Sequence, residues 1–448
     1  MTITQSSRQE IGGGSHIDET TSIMRLKREN HRLRNSPSFR LGLHITNAVR
    51  RPWRAPFLVV SLPIMMFLIG LELIGVKSQP KSLSLNRAGR PLGKGNCVVM
   101  FPTNGVGFGH FTRMLALAKR MKMDEPNLEV IFFTTMPTLH LLKPYGIPSH
   151  HISGPKYFQG VDSNEWNALL EEELTLCFET HKPSMFIFDG AFPYRGMLRA
   201  IEGRGDLNKI WMRRGMFRKG ARIPVDSIQH FDAIVRPGDS VDEREEELEH
   251  DVELMRCPPI VLLDEADLLS REKARFRLGI PQDCRAVYVQ LGAGQINDIS
   301  SEIRITLDKI LEHDGVHVVL GESMIGSRID VQLPNVHVLR DYPNSQYYRG
   351  FDAVVQAGGY NSFHETRVFG LPALFYPNLE TGMDDQLARC LVAEDEGWGY
   401  VVEKRTPQSI GDGIQKLLNH SGANKVEMNE NGAATLSRAL CGKLGVRG

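Results

Sequence analysis

The chain has 448 residues, 41% of them hydrophobic and 24% charged, and its 53 basic and 53 acidic side chains balance. This length predicts two or three domains with a large core, and the zero formal charge argues against a nucleic-acid partner. Six cysteines without a Cys-x-x-Cys pair, lying mostly in apolar runs as Cys97 and Cys177 do, indicate reduced cytosolic thiols rather than a disulfide framework or a zinc site.

The N-terminal region, residues 1–56, is polar and then basic, and we expect its first 23 residues to be disordered. The segment 57–76 is almost entirely apolar and long enough to cross a bilayer. Pro63, which we expect to interrupt a helix, Glu72 and basic residues on both flanks argue against a simple span. We therefore expect a re-entrant or interfacial membrane anchor, with a span and a buried core helix as the alternatives.

After a linker at 77–95, strand-like and helix-like patterns alternate through a first predicted domain, 96–256. Its first strand, 97–101, runs into a glycine turn and a helix. Further strands are predicted at 130–133, 185–188, 210–212 and 231–235, with a helix over 163–180. This alternation predicts an α/β fold with a doubly wound parallel sheet. The turn holds Gly105, Gly107, Gly109 and His110, an imperfect match to a dinucleotide fingerprint.

Two candidate side chains lie where parallel strands end, which is where open sheets bind ligands. His110 follows the first strand, and its ordinary pKa near 6.5 allows it to accept a proton at neutral pH. Asp189 ends the strand at 185–188 and could orient that ring and stabilise its charged form. The alternatives are that His110 caps the local turn and that Asp189 is a turn residue.

A second predicted domain, 257–425, follows an acidic run at 242–247 that we interpret as a solvated face. Its first strand, 286–291, leads into a turn containing Gly292 and Gly294. Further on, the buried strand around Val354 leads into a glycine turn and a helix start, a ready site for phosphate. That turn and helix start contain Gly358, Gly359, Asn361, Ser362 and Glu365.

We expect Asn361 or Ser362 to cap this helix, with Glu365 completing a capping box, and a plain capped helix is the alternative reading of the stretch. A further strand, 372–377, leads to another helix start at Asp385 and Gln386. No Asp-x-Asp lies between a strand and a loop, so we expect neither a metal nor another cofactor. The final residues, 426–448, look helical.

In order and spacing, these elements resemble the donor half of nucleotide-sugar glycosyltransferases, including plant UDP-glycosyltransferases and the bacterial lipid-linked GlcNAc transferase. The similar residues are Gly359, Tyr360, Asn361, Ser362, Glu365, Gly370, Leu371, Pro372, Pro377, Asp385 and Gln386. The resemblance implies the GT-B fold, with two Rossmann-like domains facing a cleft. It implies that the final helix packs back on the first domain.

The resemblance also implies roles for these residues. Backbone N–H groups near Gly292 and Gly294 and at Asn361 and Ser362 would bind a diphosphate. Glu365 would bind ribose hydroxyls, unless it only caps its helix. Asp385 and Gln386 would bind the sugar, unless they form only an exposed helix start. His110 would be the acceptor-side base, on a turn that faces the cleft.

Three positions depart from the family pattern. Ala357 stands where the plant enzymes carry a phosphate-binding histidine, Tyr360 replaces a tryptophan, and Arg389 replaces an asparagine. These changes bear on the preferred sugar and base and leave the fold prediction intact.

The sequence thus predicts an inverting glycosyltransferase that moves a hexosyl or N-acetylhexosaminyl group from a UDP-sugar to a lipid-linked or other cell-envelope glycan acceptor. Because nucleotide sugars are cytosolic, we expect it on the cytoplasmic face of a membrane, held in part by anionic lipid. The alternatives are an isomerase resembling UDP-GlcNAc 2-epimerase and a non-catalytic subunit that recruits a transferase to membranes.

Overall fold

The computed structural model describes residues 36–50, 52–74, 96–103, 108–154, 161–213, 225–241, 252–292, 300–324, 331–381, 384–421 and 430–444. The chain divides into two compact units, Met1–Pro91 and Leu92–Gly448. The predicted linker, 77–95, and the acidic run, 242–247, lie outside the described residues.

The first unit contains a helical hairpin, formed by α1 (Pro37–Arg50) and α2 (Leu58–Leu73) with a 3-10 turn between them. The expectation that Pro63 interrupts the helix is wrong, because α2 continues through it. A proline removes one backbone hydrogen bond, and here the apolar turns on either side keep the helix intact. Among the described residues, Ala55–Glu72 is the one helical stretch long and apolar enough to cross a membrane.

Polar contacts between described residues join the helices of this hairpin. The Arg40 guanidinium donates to the Glu72 carboxylate at 2.6 Å, and Glu72 is buried. His44 Nε2 lies 2.8 Å from Ser61 Oγ. Most other outward-facing side chains of α2 are apolar, including Val59, which is 78% exposed. Glu72, whose charge argued against a membrane span, is therefore paired with Arg40 within the hairpin.

The second unit begins with a seven-stranded parallel sheet in the order β3-β2-β1-β4-β5-β6-β7. The strands are β1 (Cys97–Pro102), β2 (Glu129–Thr134), β3 (Ser149–His151), β4 (Met185–Asp189), β5 (Asn208–Met212), β6 (Ala233–Pro237) and β7 (Glu253–Cys257). The helices that cover this sheet are α3 (Gly109–Asp124), α4 (Ser163–His181) and α5 (Arg195–Ile201). Its apolar strands are buried on both faces, as a doubly wound sheet requires.

A six-stranded parallel sheet follows in the order β10-β9-β8-β11-β12-β13. Its strands are β8 (Arg285–Gln290), β9 (Val316–Gly321), β10 (Val336–Leu339), β11 (Ala353–Gln356), β12 (Ala373–Phe375) and β13 (Gly399–Val401). The accompanying helices are α6 (Arg271–Leu278), α7 (Ser300–Leu311), α8 (Tyr360–Phe369), α9 (Gln386–Asp395) and α10 (Pro407–Leu418). Both sheets reverse their strand order beside the first strand, which is where such folds bind ligands.

The last helix, α11 (Gly432–Lys443), packs against α3 of the first sheet. Leu436 and Leu440 belong to the same buried cluster as Met114. Ser437 Oγ donates to Asp124 at 2.5 Å. All six cysteines are described and none forms a disulfide.

Candidate functional site

A histidine, an aspartate and an arginine meet at the carboxyl ends of β1 and β4. Asp189 ends β4, and its strand pairs in parallel with β1, so the turn after β1 lies beside it. His110 lies on the first turn of α3 and Arg113 lies three residues later, about one turn on, so the two share one face of the helix. His110 Nδ1 lies 2.7 Å from Asp189 Oδ1. The structure thus brings together the two residues that the sequence predicted as base and partner.

Arg113 is the unpredicted third member of this group. It donates from Nη2 to Asp189 Oδ1 at 2.7 Å and from Nε to Oδ2 at 3.1 Å. Its Nη2 is also 3.0 Å from His110 Nδ1. His110 Nδ1 cannot both donate a proton to Asp189 and accept one from Arg113. The Arg113 guanidinium already donates to both Asp189 oxygens, so it does not need His110 as an acceptor. We therefore assign the proton to Nδ1, which leaves Nε2 as the basic nitrogen.

The charge balance keeps Asp189 ionised. Burial opposes the charged form, but Arg113 and His110 outweigh it, and the pKa of the Asp189 carboxyl lies below its ordinary value. The His110 side chain keeps 20% of its surface exposed, whereas Asp189 keeps 1%. The dyad therefore has a buried anchor and a histidine accessible to a substrate.

The predicted phosphate-binding helix is α8, which begins directly after β11 and a glycine turn. The predicted capping box is wrong, because Gly359 occupies the N-cap position and no side chain caps the helix. Asn361 and Ser362 lie inside the first turn, and the Ser362 hydroxyl donates to the Gly359 carbonyl at 3.2 Å. An uncapped first turn keeps backbone N–H groups available for an anion.

Gly358 packs too tightly for any side chain. A Cβ there would lie 2.3 Å from the Cys390 sulfur of α9. Gly292, at the end of β8, has φ +105°, a backbone conformation that favours glycine. Gly105, Gly107 and Gly294 lie outside the described residues.

The first turns of α3 and α8, one from each sheet, are in contact. Asn361 Nδ2 donates to the Gly109 carbonyl at 3.2 Å. Tyr360 donates its hydroxyl to the Gly238 carbonyl at 2.9 Å, and its ring lies under the Arg113 guanidinium at 5.3 Å. The predicted base and the predicted phosphate-binding turn are therefore neighbours.

Glu365 lies on α8 and keeps only 9% of its surface exposed, with no cation bonded to it among the described residues. Its hydrogen-bond donor is Ser345 Oγ, at 3.1 Å. Burial raises the pKa of Glu365 to about 7, and the Ser345 bond offsets only part of that rise. A buried carboxyl without a counter-ion is a strong acceptor for the hydroxyl groups of a ligand.

A second buried ion cluster joins the two sheets, and the sequence did not reveal it. Asp239, two residues beyond β6, accepts from Arg389 at 2.7 and 2.9 Å and lies 3.2 Å from His364 Nε2. Arg389 also donates to the Gly358 carbonyl and to Asp384, each at 2.7 Å. Burial opposes ionisation of Asp239, but His364 and Arg389 hold its pKa far below the ordinary value.

Asp385 and Gln386 lie at the predicted helix start, and both make local bonds. Asp385 caps α9 by accepting from the Ala388 N–H at 3.0 Å. Gln386 accepts from the Asn378 N–H at 3.0 Å. A sugar would use the remaining polar atoms of these side chains or displace these bonds.

Sequence reasoning did not identify Arg113, Arg389 or Asp239 as site residues. Each of them binds a partner that is distant in the sequence. Arg113 follows His110 by one helical turn, and that spacing was the available signal. Asp239 is 150 residues from Arg389, and no local pattern marks such a pair. The departure at Arg389 was visible in the sequence, but its partner was not.

No protein-family model matches the chain. Two curated relatives, both named uncharacterized glycosyltransferases, come from Methanosarcina acetivorans and Methanosarcina mazei. The chain is 30% identical to the first over 97 residues and 31% identical to the second over 94 residues. Each match covers 21% of this chain and 24% of the relative, so the chain spans about a quarter of these relatives' length.

Among solved structures, the chain is similar to CalG4, described as the calicheamicin glycosyltransferase. The TM-score is 0.53 at 17% identity, and the match covers 78% of this chain and 98% of that chain. Identity this low establishes the fold alone. The chain has the GT-B fold, so the predicted fold class and the resemblance on which it rested are confirmed at the level of architecture.

Proposed function

We propose that this GT-B chain is an inverting glycosyltransferase that moves a hexosyl or N-acetylhexosaminyl group from a UDP-sugar to a hydroxyl of a membrane-associated glycan. The observation that carries the proposal is the contact between α3 and α8. It sets the His110–Asp189 dyad beside the uncapped helix turn that suits a diphosphate. In a single displacement the attacking oxygen and the leaving group lie on opposite sides of C1, so the base and the phosphate site must be close enough to flank one sugar.

His110 is the proposed base. Asp189 holds Nδ1–H, so Nε2 takes the proton of the acceptor hydroxyl as its oxygen attacks the sugar C1. The bond between C1 and the diphosphate oxygen breaks in the same step, and UDP leaves. One displacement at C1 inverts its configuration. Asp189 stabilises the imidazolium that forms, as the aspartate of a hydrolase triad does.

The leaving group gains negative charge, and the first turn of α8 supplies positive partial charge to balance it. Unbonded N–H groups at a helix N-terminus and the helix dipole together bind phosphate. Gly359 brings the backbone close because it carries no side chain. Arg113 and Arg389 flank the Tyr360 ring at 5.3 and 5.8 Å, but each is balanced by its own carboxylates, so the phosphate assignment rests on the helix turn.

Glu365 is proposed to bind the ribose of the donor. The bonds from ribose hydroxyls would favour its ionised form and replace the water that burial excludes. Asp385 and Gln386 are proposed to bind the transferred sugar through the oxygen atoms that remain after their local bonds. This assignment leaves Arg389 out of the sugar site, because Asp239, Asp384 and the Gly358 carbonyl surround it.

A membrane-bound acceptor is inferred from the helical hairpin. At about 1.5 Å per residue, the 16 residues of α2 extend about 24 Å, less than the hydrocarbon thickness of ~30 Å. Arg50, exposed at the end of α1, favours a hairpin that lies at the interface on the cytoplasmic face, whereas the Arg40 charge is balanced by Glu72. Apolar side chains such as Phe67 would enter the acyl region, and anionic lipid would attract Arg50.

The test of the activity is mass spectrometry of products after the purified full-length protein is incubated with a panel of UDP-sugars and a native lipid extract. A glycosylated lipid together with stoichiometric UDP supports the proposal. Free epimerised sugar without any acceptor would instead indicate the isomerase. Nucleotide binding without UDP release under every acceptor would indicate a non-catalytic subunit, and both results contradict the transferase.

The test of the anchor is flotation with vesicles that contain anionic lipid. Phe67→Glu, which places a charge on an exposed apolar side chain of α2, should abolish flotation. The matched control is Phe276→Glu, because Phe276 is 84% exposed on α6 of the other unit. Equal flotation of both variants, or protease digestion of the catalytic unit from the outside of intact cells, would overturn the anchor.

A further inference from the structure

Two histidines and a cysteine meet at a place in the first domain that the proposed reaction does not use. Cys177 and His181 are four residues apart on α4, so they lie on one face of the helix. His150 comes from the edge strand β3. One ligand atom from each of the three lies within 4.8 Å of the other two.

The donor set is that of a transition-metal site. The two Nε2 atoms are 2.8 Å apart, joined by a hydrogen bond, with the rings inclined at 75°. Two nitrogens bound to one tetrahedral zinc are about 3.4 Å apart, given Zn–N bonds near 2.0–2.1 Å. The rings of His150 and His181 need to separate by only about half an ångström for an ion to replace the shared proton.

A carboxylate stands behind one of the histidines. Glu129 Oε1, at the start of β2, lies 3.9 Å from His181 Nδ1, the ring nitrogen opposite the one that faces His150. Histidines that bind metals commonly donate their second N–H to such a carboxylate, which fixes the tautomer and strengthens the ligand. At 3.9 Å this contact is longer than a hydrogen bond, but Glu129 lies on the side of His181 where the outer partner of a carboxylate–histidine–metal arrangement belongs.

We propose that His150, Cys177 and His181 bind a zinc ion, with water as the fourth ligand and Glu129 as the outer partner of His181. A buried thiol stays protonated without a cation nearby, so binding releases the Cys177 proton to solvent as the Zn–S bond forms. The ion would tie the edge strand β3 to α4. Cys177 and His181 precede β4, whereas Asp189 ends it, so the site lies away from the catalytic dyad and acts on stability.

The sequence argued against zinc because its cysteines lack paired spacing. The three ligands here are separated by 27 and 4 residues and come from a strand and a helix. A fixed motif therefore does not reveal them. The one local signal is the i, i+4 spacing of Cys177 and His181.

The protein supplies a matched control in its second sheet. His317 and His337, on β9 and β10, also contact each other, with Nδ1 and Nε2 3.1 Å apart. In the part of the chain that the structure describes, no third ligand joins that pair. His337→Gln should therefore break an equivalent histidine contact without changing metal content.

The experiment uses the full-length protein, stripped with a chelator and then titrated with zinc alone or cobalt alone. We expect one equivalent of bound metal by elemental analysis, a sulfur-to-cobalt charge-transfer band, and a higher melting temperature with zinc. His181→Gln and Cys177→Ser should lose stoichiometric binding, and Cys177→Ser should lose the band. Glu129→Gln should weaken binding roughly 10–100-fold, as other outer-partner substitutions do.

Wild-type protein that binds no zinc, or a cobalt spectrum without the thiolate band, would overturn the site. A zinc content that falls as far in His337→Gln as in His181→Gln would overturn it as well. If Cys177→Ser fails to fold, the cobalt spectrum of His181→Gln decides: loss of the sulfur-to-cobalt band places the thiolate at this site, and retention of the full band would overturn it.

Discussion

Two buried aspartates lie at the carboxyl ends of strands in the first sheet. Each binds one arginine and one histidine, but the two histidines differ in their exposure to solvent. Asp189 ends β4 and binds Arg113 and His110. Asp239 follows β6 and binds Arg389 and His364. In each cluster an arginine donates hydrogen bonds to both carboxylate oxygens, and a histidine nitrogen lies within hydrogen-bond distance of one of these oxygens. The difference lies in what the histidine can reach.

The His110 side chain is 20% exposed and the His364 side chain 1%. The Asp189 cluster lies within one domain, whereas the Asp239 cluster joins both. The same three residue types therefore present a base to a substrate in one place and hold two domains together in the other. Access and location, rather than residue identity, separate a proposed catalytic group from a structural one.

The largest expected effect is on turnover. His110→Ala should lower kcat roughly 10²–10⁴-fold, because a positioned general base contributes that much, and it should leave UDP affinity nearly unchanged. Steady-state kinetics and calorimetry with UDP measure the two quantities. His364→Ala is the comparison variant, and its folded fraction should keep a kcat within a few-fold of wild type. If His110→Ala and His364→Ala lose the same factor in kcat, the Asp189 cluster is not the catalytic one of the two.

The next effect is on stability. Asp239→Ala should lower the free energy of unfolding by roughly 3–5 kcal/mol, because it removes one of the two carboxylates that balance the buried Arg389 charge. Glu171→Ala, which breaks a surface pair with Arg199, should cost less than about 1 kcal/mol. Chemical denaturation compares the two. A cost for Asp239→Ala as small as that of the surface variant would mean that the cluster does not hold the domains.

A third buried carboxyl, Glu365, has no arginine bonded to it in the described part of the chain, and burial raises its pKa to about 7. Between its ordinary value of 4.5 and 7, the folded state binds more protons than the unfolded state, so its contribution to stability falls as pH rises through that window. Ribose hydroxyls need the carboxylate, so UDP binding should release a proton. UDP affinity should therefore rise with pH up to about 7 and then level off.

Calorimetry in buffers of different ionisation enthalpy detects that proton release directly. Glu365→Gln should bind UDP with an affinity that no longer rises with pH in this range. Glu302→Gln, in the same domain and paired with Arg405, should keep the wild-type dependence. If the UDP affinity of the wild-type protein does not change with pH, the assignment of Glu365 to the ribose is wrong.

The smallest effect concerns a single hydrogen bond between the domains. Thr112 Oγ1 and the Tyr342 hydroxyl are 2.9 Å apart. Tyr342→Phe removes this bond and keeps the ring that packs on Phe108, so stability should fall by about 1 kcal/mol. Thermal unfolding measures the change. A loss as large as that of Asp239→Ala would place the main domain contact here instead.

The sequence predicted much of the architecture and part of the candidate site. Strands such as β1 and β11 are short apolar runs beside glycine turns, so local pattern identified them. His110 and Asp189 could be paired because adjacent parallel strands end at one edge. The capping box was wrong because Gly359 is the N-cap, so the helix begins two to three residues earlier than an Asn361 or Ser362 cap would allow. The pairing of Arg389 with Asp239 could not be predicted, because residues 150 positions apart share no local sequence pattern.

The closing helix α11 has a consequence for the order in which the chain folds. Leu436 and Leu440 complete the core that β1 and α3 begin, yet they are made more than 300 residues later. The first domain therefore emerges from the ribosome with an uncovered apolar face, and loop closure over that distance makes its completion a late step. A chain that stops before residue 430 should aggregate during synthesis, even though both of its sheets are complete.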